Sequence, residues 1–238
     1  MRGHNSRLEA RPDESTFRAF ALLLLLVCAD LGFMLLHLIS VETGWLREAG
    51  ISLEAEGGPA EIFQYLKEFS VMVCMVLAFV ATRRAVYISW VLVFTFLLAD
   101  DSMQIHESVG TWLGERYSFA APYGLRPQDV GELLFAAIIG LVMLALVGGA
   151  VWGGTKQCRR VSRDLGILIV SLGLVGILLD VVHVVAYYGR SLLAQFLLVI
   201  EDGGEMIVMS AMTAYAFHVA SHRGSTRFSL WARLMRHA

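Results

Sequence analysis

Residues Ala85–Glu107 read AVYISWVLVFTFLLADDSMQIHE. The run is apolar for long enough to cross a bilayer, since about 20 residues rising 1.5 Å each match a hydrocarbon core of about 30 Å. It then closes on Asp100, Asp101, His106 and Glu107. An ionisable group inside an apolar span costs roughly 2.5–3.5 kcal/mol on insertion scales, and such groups turn toward a bundle interior or a cavity. This one stretch therefore predicts a membrane helix with a polar site at its end.

Five further runs have the same character: about Phe17–Val41, Glu61–Thr82, Val130–Gly153, Leu165–Tyr188 and Leu192–Ala220. The whole chain is 238 residues, 57% hydrophobic and 17% charged, whereas a soluble domain carries about 25% charged residues. The expected fold is all-α, a polytopic membrane bundle of six transmembrane helices. The first run exceeds signal-peptide length and lacks a small-x-small cleavage site, so it reads as an uncleaved helix. Gly57-Gly58-Pro59, Pro122, Pro127 and Gly153-Gly154 punctuate the connections.

Orientation follows from the preference of Lys and Arg for cytoplasmic loops. Basic residues gather before the first span (Arg2, Arg7, Arg11, Arg18), after the second (Arg83, Arg84), after the fourth (Lys156, Arg159, Arg160, Arg163) and after the sixth (Arg223, Arg227, Arg233, Arg236). The other side holds Arg47, Lys67, Arg116, Arg126 and Arg190, and its first loop is acidic, with Glu42, Glu48, Glu54 and Glu56. Both termini are thus expected to be cytoplasmic: a tail at 1–16, the six-helix domain at 17–222 and an amphipathic tail at 223–238, in a multi-pass protein of the cell (plasma or inner) membrane. Phe228, Trp231, Leu234 and Met235 alternate with arginines in that last tail, the pattern of a helix lying on the inner leaflet. Trp112, Leu113, Tyr117, Phe119 and Tyr123 read as an interfacial aromatic belt in an outer loop, with a lid as the alternative.

Several classes are excluded. No basic stripe interleaved with aromatics lies outside the spans, which argues against nucleic acid. Cys28, Cys74 and Cys158 are far apart and form neither a disulfide framework nor a CxxC pair; Cys28 is expected in the core.

Projected at 100° per residue, the polar residues fall into stripes. Asp30, Met34 and His37 share a face; so do Glu61, Gln64, Tyr65, Glu68, Met72 and Met75. Asp100, Gln104 and Glu107 align in the third span, flanked by Asp101 and His106, and Asp180, His183 and Tyr187 align in the fifth. Glu201 and Glu205 sit one turn apart with Asp202 beside them, and Glu132 opens the fourth span, where an acid favours the helix N-terminus. Depth is the stronger signal. Asp30, Glu68, Asp100, Asp180 and Glu201 all lie about 10–16 Å from the outer end of their spans at the helical rise. The inner halves hold almost nothing ionisable.

Carboxylates packed together cannot all ionise, so protons or a cation must neutralise them. Carboxylates and imidazoles one turn apart on facing helices are what metal sites inside bundles use, and oxygen and nitrogen donors suit Zn, Fe or Mn. The expected ligands of a divalent metal are Glu68, Asp100, His106, Asp180, His183, Glu201 and Glu205. Glu107 is the expected general base. Asp30, His37, Gln64, Asp101, Gln104, Tyr187 and Asp202 are expected as further ligands or orienting groups, and Lys67 as a partner for a neighbouring carboxylate. The functional expectation is a metal-dependent hydrolase or oxidase acting on a lipid-like substrate from the extracytoplasmic side. The alternatives are a proton- or divalent-ion-coupled transporter and a non-catalytic assembly or sensor protein.

Ser102-x-x-x-His106, Asp180 and His218-x-x-x-His222 follow the order found in membrane zinc hydrolases such as alkaline ceramidases and progestin/adiponectin receptors. The topology argues against a shared metal: it puts His106 and the His218–His222 pair at opposite membrane faces, about 30 Å apart.

Overall fold

Among the described residues the chain folds into seven helices: α1 Glu14–Thr43, α2 Pro59–Thr82, α3 Ala85–Met103, α4 Ile105–Tyr117, α5 Pro127–Trp152, α6 Lys156–Ala186 and α7 Leu192–Ser221. The computed structural model describes residues 14–43, 50, 52–53, 55–120, 125–186 and 192–222, without the side chains of 42–43, 177–186 and 192–197. Among the described residues, α1, α2, α3 and α5 are long and apolar enough to cross a membrane. α6 and α7 run to 31 and 30 residues. The expected tail helix at 223–238 and the N-terminal segment before residue 14 lie outside the described residues.

Helix ends follow local chemistry. Pro59 sits in the first turn of α2, where its missing N–H costs nothing, and Glu61 lies in the same turn. α2 stops at Arg83, left-handed at φ 54°, whose N–H returns to the Phe79 carbonyl. Pro127 opens α5, and Asp129 accepts from both the backbone N–H and the guanidinium of Arg126.

α7 is the hub. It packs against α1, α2 and α6, while α2 also packs on α3 and α4 lies along α5. The buried apolar core gathers at one end of the bundle. Met75 and Ala78 of α2, Tyr87, Trp90 and Phe94 of α3, Val161 and Leu165 of α6, and Met209, Met212 and Ala216 of α7 close it. At the same end, Ser15 Oγ meets His222 Nε2 at 2.8 Å, joining the start of α1 to the end of α7. The outward faces of α1 and α5 are apolar, with Leu25 67% and Leu144 69% exposed. In water such a surface would drive aggregation; here it marks a membrane protein. Cys28 is exposed on this outer face of α1 and is not in the core. α1 packs on one side only, and a small apolar side chain is as comfortable against lipid as against protein.

The third span departs from expectation. It does not continue to Glu107 but ends at Met103, and Gln104 adopts a left-handed conformation at φ 50°, ψ 44°. The segment beyond folds as α4, a 13-residue helix, where a plain outer loop was expected. Trp112 and Tyr117 stand exposed on α4, and the Tyr117 ring stacks on Phe119; Tyr123 lies outside the described residues.

A carboxylate–histidine cluster at the junction of two cavities

The break at Gln104 builds the site. In an unbroken helix His106 would stand about 9 Å above Asp100 and about 240° round from it. The left-handed residue turns the chain back, at a cost of roughly 1–2 kcal/mol for a side chain without glycine's freedom. Asp100 offsets that cost. Its Oδ1 accepts the His106 backbone N–H at 2.9 Å, satisfying an orphan donor of the first turn of α4, and its Oδ2 lies 3.4 Å from His106 Nδ1. Asp100, Asp101 and His106 thereby bring one donor atom each within 4.8 Å of one another. Glu107 stands 4.0 Å from the other ring nitrogen, Nε2. The hydrogen bond to Asp100, joined by the charges of Asp101 and Glu107, holds the His106 pKa above its ordinary value, while burial pulls the other way.

α4 is held in place by close backbone packing. A β-carbon on Gly131 of α5 would lie 2.3 Å from the Gly110 carbonyl oxygen, and one on Gly114 would lie 2.8 Å from the backbone of Pro127 and Gln128. Gly110-x-x-x-Gly114 is the small-residue spacing that lets membrane helices touch backbone to backbone. Glycine contacts one helical turn apart therefore fix where α4, and with it His106, lies.

Two cavities meet at the cluster. A polar vestibule of about 480 Å³ is lined by Leu53, Glu56, Glu61, Gln64, Tyr65 and Gln104, with Glu107 at its side. A cleft of about 400 Å³ between α3, α5 and α6 is lined by Phe96, Leu97, Phe135, Ile139, Met143 and Ile169. Asp101, His106, Glu201, Asp202 and Glu205 line both. Tyr65 donates its hydroxyl to Glu61 and lies 3.1 Å from the Asp101 carbonyl oxygen. Glu68 lies one turn deeper, 1% exposed, beside Asp101, and its Oε2 has no hydrogen-bond partner.

Glu205 depends on a glycine. A β-carbon on Gly176 would fall 2.0 Å from Glu205 Oε1. Gly176→Val is therefore expected to expel the Glu205 carboxylate from the cluster while α6 stays folded. Cadmium or cobalt titration of the purified variant should show at least about tenfold weaker binding than wild type, of the size that follows loss of a group supporting a metal site. Unchanged affinity would mean that Glu205 takes no part.

Other expected site residues go elsewhere. Asp30 lines neither cavity. It is fully buried and paired with Lys67, whose Nζ lies 3.0 Å from Asp30 Oδ1 and 2.9 Å from the Met206 carbonyl oxygen. Ser210 donates to Asp30 Oδ2 at 2.5 Å. His37 also lies apart, with Nδ1 accepting from the Leu53 N–H at 3.3 Å and lying 3.1 Å from Ser52 Oγ. It fixes the α1–α2 connection that rims the vestibule. Glu132 accepts from Gln128 on its own helix. Asp180 and His183 fall on α6, but their side chains, and the whole of Tyr187, lie outside the described residues. His218 and His222 sit at the opposite end of the bundle from His106, with ring centroids 4.3 Å apart; His222 Nδ1 donates to the His218 carbonyl.

Two features were not expected. Asp164, buried at the core end, accepts from Tyr215 at 3.0 Å and pairs with Arg163, and nearby Trp90 donates to Ser162. Gly203 and Gly204 lie between the α7 carboxylates, where a β-carbon would strike Met34 of α1 and Val175 of α6. The sequence signal was present as Glu-Asp-Gly-Gly-Glu: acids for the cavity, glycines for the neighbours.

These features define an all-helical membrane protein with a carboxylate–histidine cluster at the junction of two cavities. Residues 64–219 match the family described as Domain of unknown function (DUF8692), and the chain belongs to that family. The match takes in every residue of the cluster and leaves out α1. No curated protein and no solved structure matches the chain.

Proposed function

We propose that this is a metal-dependent membrane enzyme acting on a lipid-like substrate. The chain spans the plasma or inner membrane six times, with α6 and α7 as the fifth and sixth crossings, both termini cytoplasmic and the cluster in the extracytoplasmic half. The observation that carries the reading is the convergence of Asp100, Asp101 and His106 donors within 4.8 Å where a polar and an apolar cavity meet. Asp100, Asp101 and His106 would hold the ion, and Asp100 would also steady the His106 ring, its Oδ2 lying 3.4 Å from Nδ1, the carboxylate support that a ligating imidazole commonly has. Asp101, Glu205, Glu201 and Glu68 supply oxygen donors. Such donors take Fe, Zn or Mn, and a bound divalent ion makes water nucleophilic at neutral pH. Glu107, open to the vestibule, serves as general base. The bundle's other half is filled by buried side chains such as Met75, Phe94, Met209 and Met212, which favours a one-sided site over a transport path.

The test is the metal content of the full chain, purified without chelator and measured by mass spectrometry beside His106→Ala and Asp100→Ala. Wild type should carry stoichiometric Fe, Zn or Mn. His106→Ala should lose it, and Asp100→Ala should bind about 10–100-fold more weakly. A folded wild type free of metal, even after loading, would overturn the reading.

A further inference from the structure

The two cavities differ in chemistry as well as position. The cleft is walled by Phe96 and Leu97 of α3, Phe135, Ile139 and Met143 of α5, and Ile169 of α6. All three helices belong to the membrane bundle, so the cleft lies where lipid is. Gly140 and Gly173 face it with no heavy atom within 4 Å of the position their β-carbons would take, and Gly140 is exposed at the bundle surface. The space is open, and its volume of about 400 Å³ falls in the usual range for small-molecule pockets.

The vestibule is strongly one-signed. Glu56, Glu61, Glu107 and Asp202 line it, and among its described lining residues there is neither Lys nor Arg. Lys67, which lines neither cavity, is held by Asp30. Carboxylates outnumber the single imidazole, His106, in the vestibule wall, so an ammonium meets more complementary charge there than an anionic head group does.

We infer that the cleft and vestibule together hold a single-chain amphiphile with a cationic, amine-type head group. The chain lies between α5 and α6 and the head among the vestibule carboxylates. The shared wall of Asp101, His106 and Glu205 then stands beside the linkage between chain and head. This names the substrate class of the enzyme proposed above and rests on that reading for its chemistry, but binding is testable without turnover.

The probe is hexadecylamine carrying a diazirine near the chain terminus, photolysed with the full chain in phosphatidylcholine nanodiscs. Labelling should map to the cleft faces of α5 and α6 around Ile139, Met143 and Ile169. Hexadecylamine and hexadecyltrimethylammonium should displace it at concentrations about tenfold or more below those of palmitate or hexadecyl phosphate, a specificity set by the head group alone. Gly140→Leu and Gly173→Leu, which fill open space, should each abolish the label without lowering thermal stability. Equal displacement by anionic and cationic heads would overturn the inference, as would label that persists in both variants. Metal content measured on the same samples separates the two ideas. Selective amine labelling of metal-free protein would uphold the binding site and sink the enzyme; metal without head-group selectivity would do the reverse.

Discussion

Lys67→Met is expected to destabilise the protein by about 3–5 kcal/mol, the cost of stripping one partner from a buried ion pair. Lys67 is 2% exposed and Asp30 is fully buried. The pair joins α1 to α2, and the same ammonium reaches the Met206 carbonyl and Ser210 on α7. Without it the Asp30 carboxylate keeps only the Ser210 hydroxyl in an apolar interior. Asp30→Leu added to Lys67→Met should restore most of the loss, because replacing both charges by apolar groups is often neutral. Unfolding in mild detergent, followed by helical circular dichroism, measures both. A loss below about 1 kcal/mol for Lys67→Met would place the pair in a hydrated environment. Metal content per folded molecule should not change, since Asp30 and Lys67 line neither cavity.

Gly131→Val should damage stability and site together. The new side chain would meet the Gly110 carbonyl, a backbone atom that cannot rotate away. Overpacking typically costs about 1–3 kcal/mol, and here the relief available is movement of α4. That movement carries His106 away from Asp100 and Asp101, so metal affinity should fall with stability. Gly140→Ala is the control on the same helix. Its β-carbon meets no atom within 4 Å, and alanine favours the helix by roughly 0.5–1 kcal/mol. If Gly131→Val matched Gly140→Ala in melting temperature and in metal affinity, the glycine contact would have no bearing on the site.

These two cases also show what a sequence can disclose. The spans were legible because hydrocarbon thickness dictates a run of about 20 apolar residues, and most helix bounds fall within a few residues of those runs. The face carrying Asp30, Met34 and His37 was legible from helical period, and it is the buried face of α1: Asp30 and His37 are buried, and Met34 packs at Gly203. What those residues do there was not legible, because the role of Asp30 depends on a lysine 37 positions away. Gln104 gave no warning of the break, since glutamine has no preference for left-handed backbone. The turn is made by Asp100 reaching forward and by α4 docking on α5, both tertiary effects. Gly110-x-x-x-Gly114 is a local feature of a segment whose aromatic residues read as an outer loop. The depth argument placed Asp30, Glu68, Asp100, Asp180 and Glu201 in one layer, but Asp30 lines neither cavity and the Asp180 side chain lies outside the described residues. Glu201 and Asp100 line the apolar cleft, and Glu68 lies beside Asp101.

The uneven filling of the bundle also governs supply. The cleft begins in the leaflet where α3 ends, and the opposite leaflet faces helices closed by Phe94, Met209 and Met212. The amphiphile proposed above, if dissolved in that far leaflet, would have to carry its polar head across the midplane before entering. In sealed membranes, occupancy would then follow the asymmetry of the bilayer and the rate of lipid flip-flop, not total lipid concentration. In detergent micelles, which have no leaflets, that control would vanish.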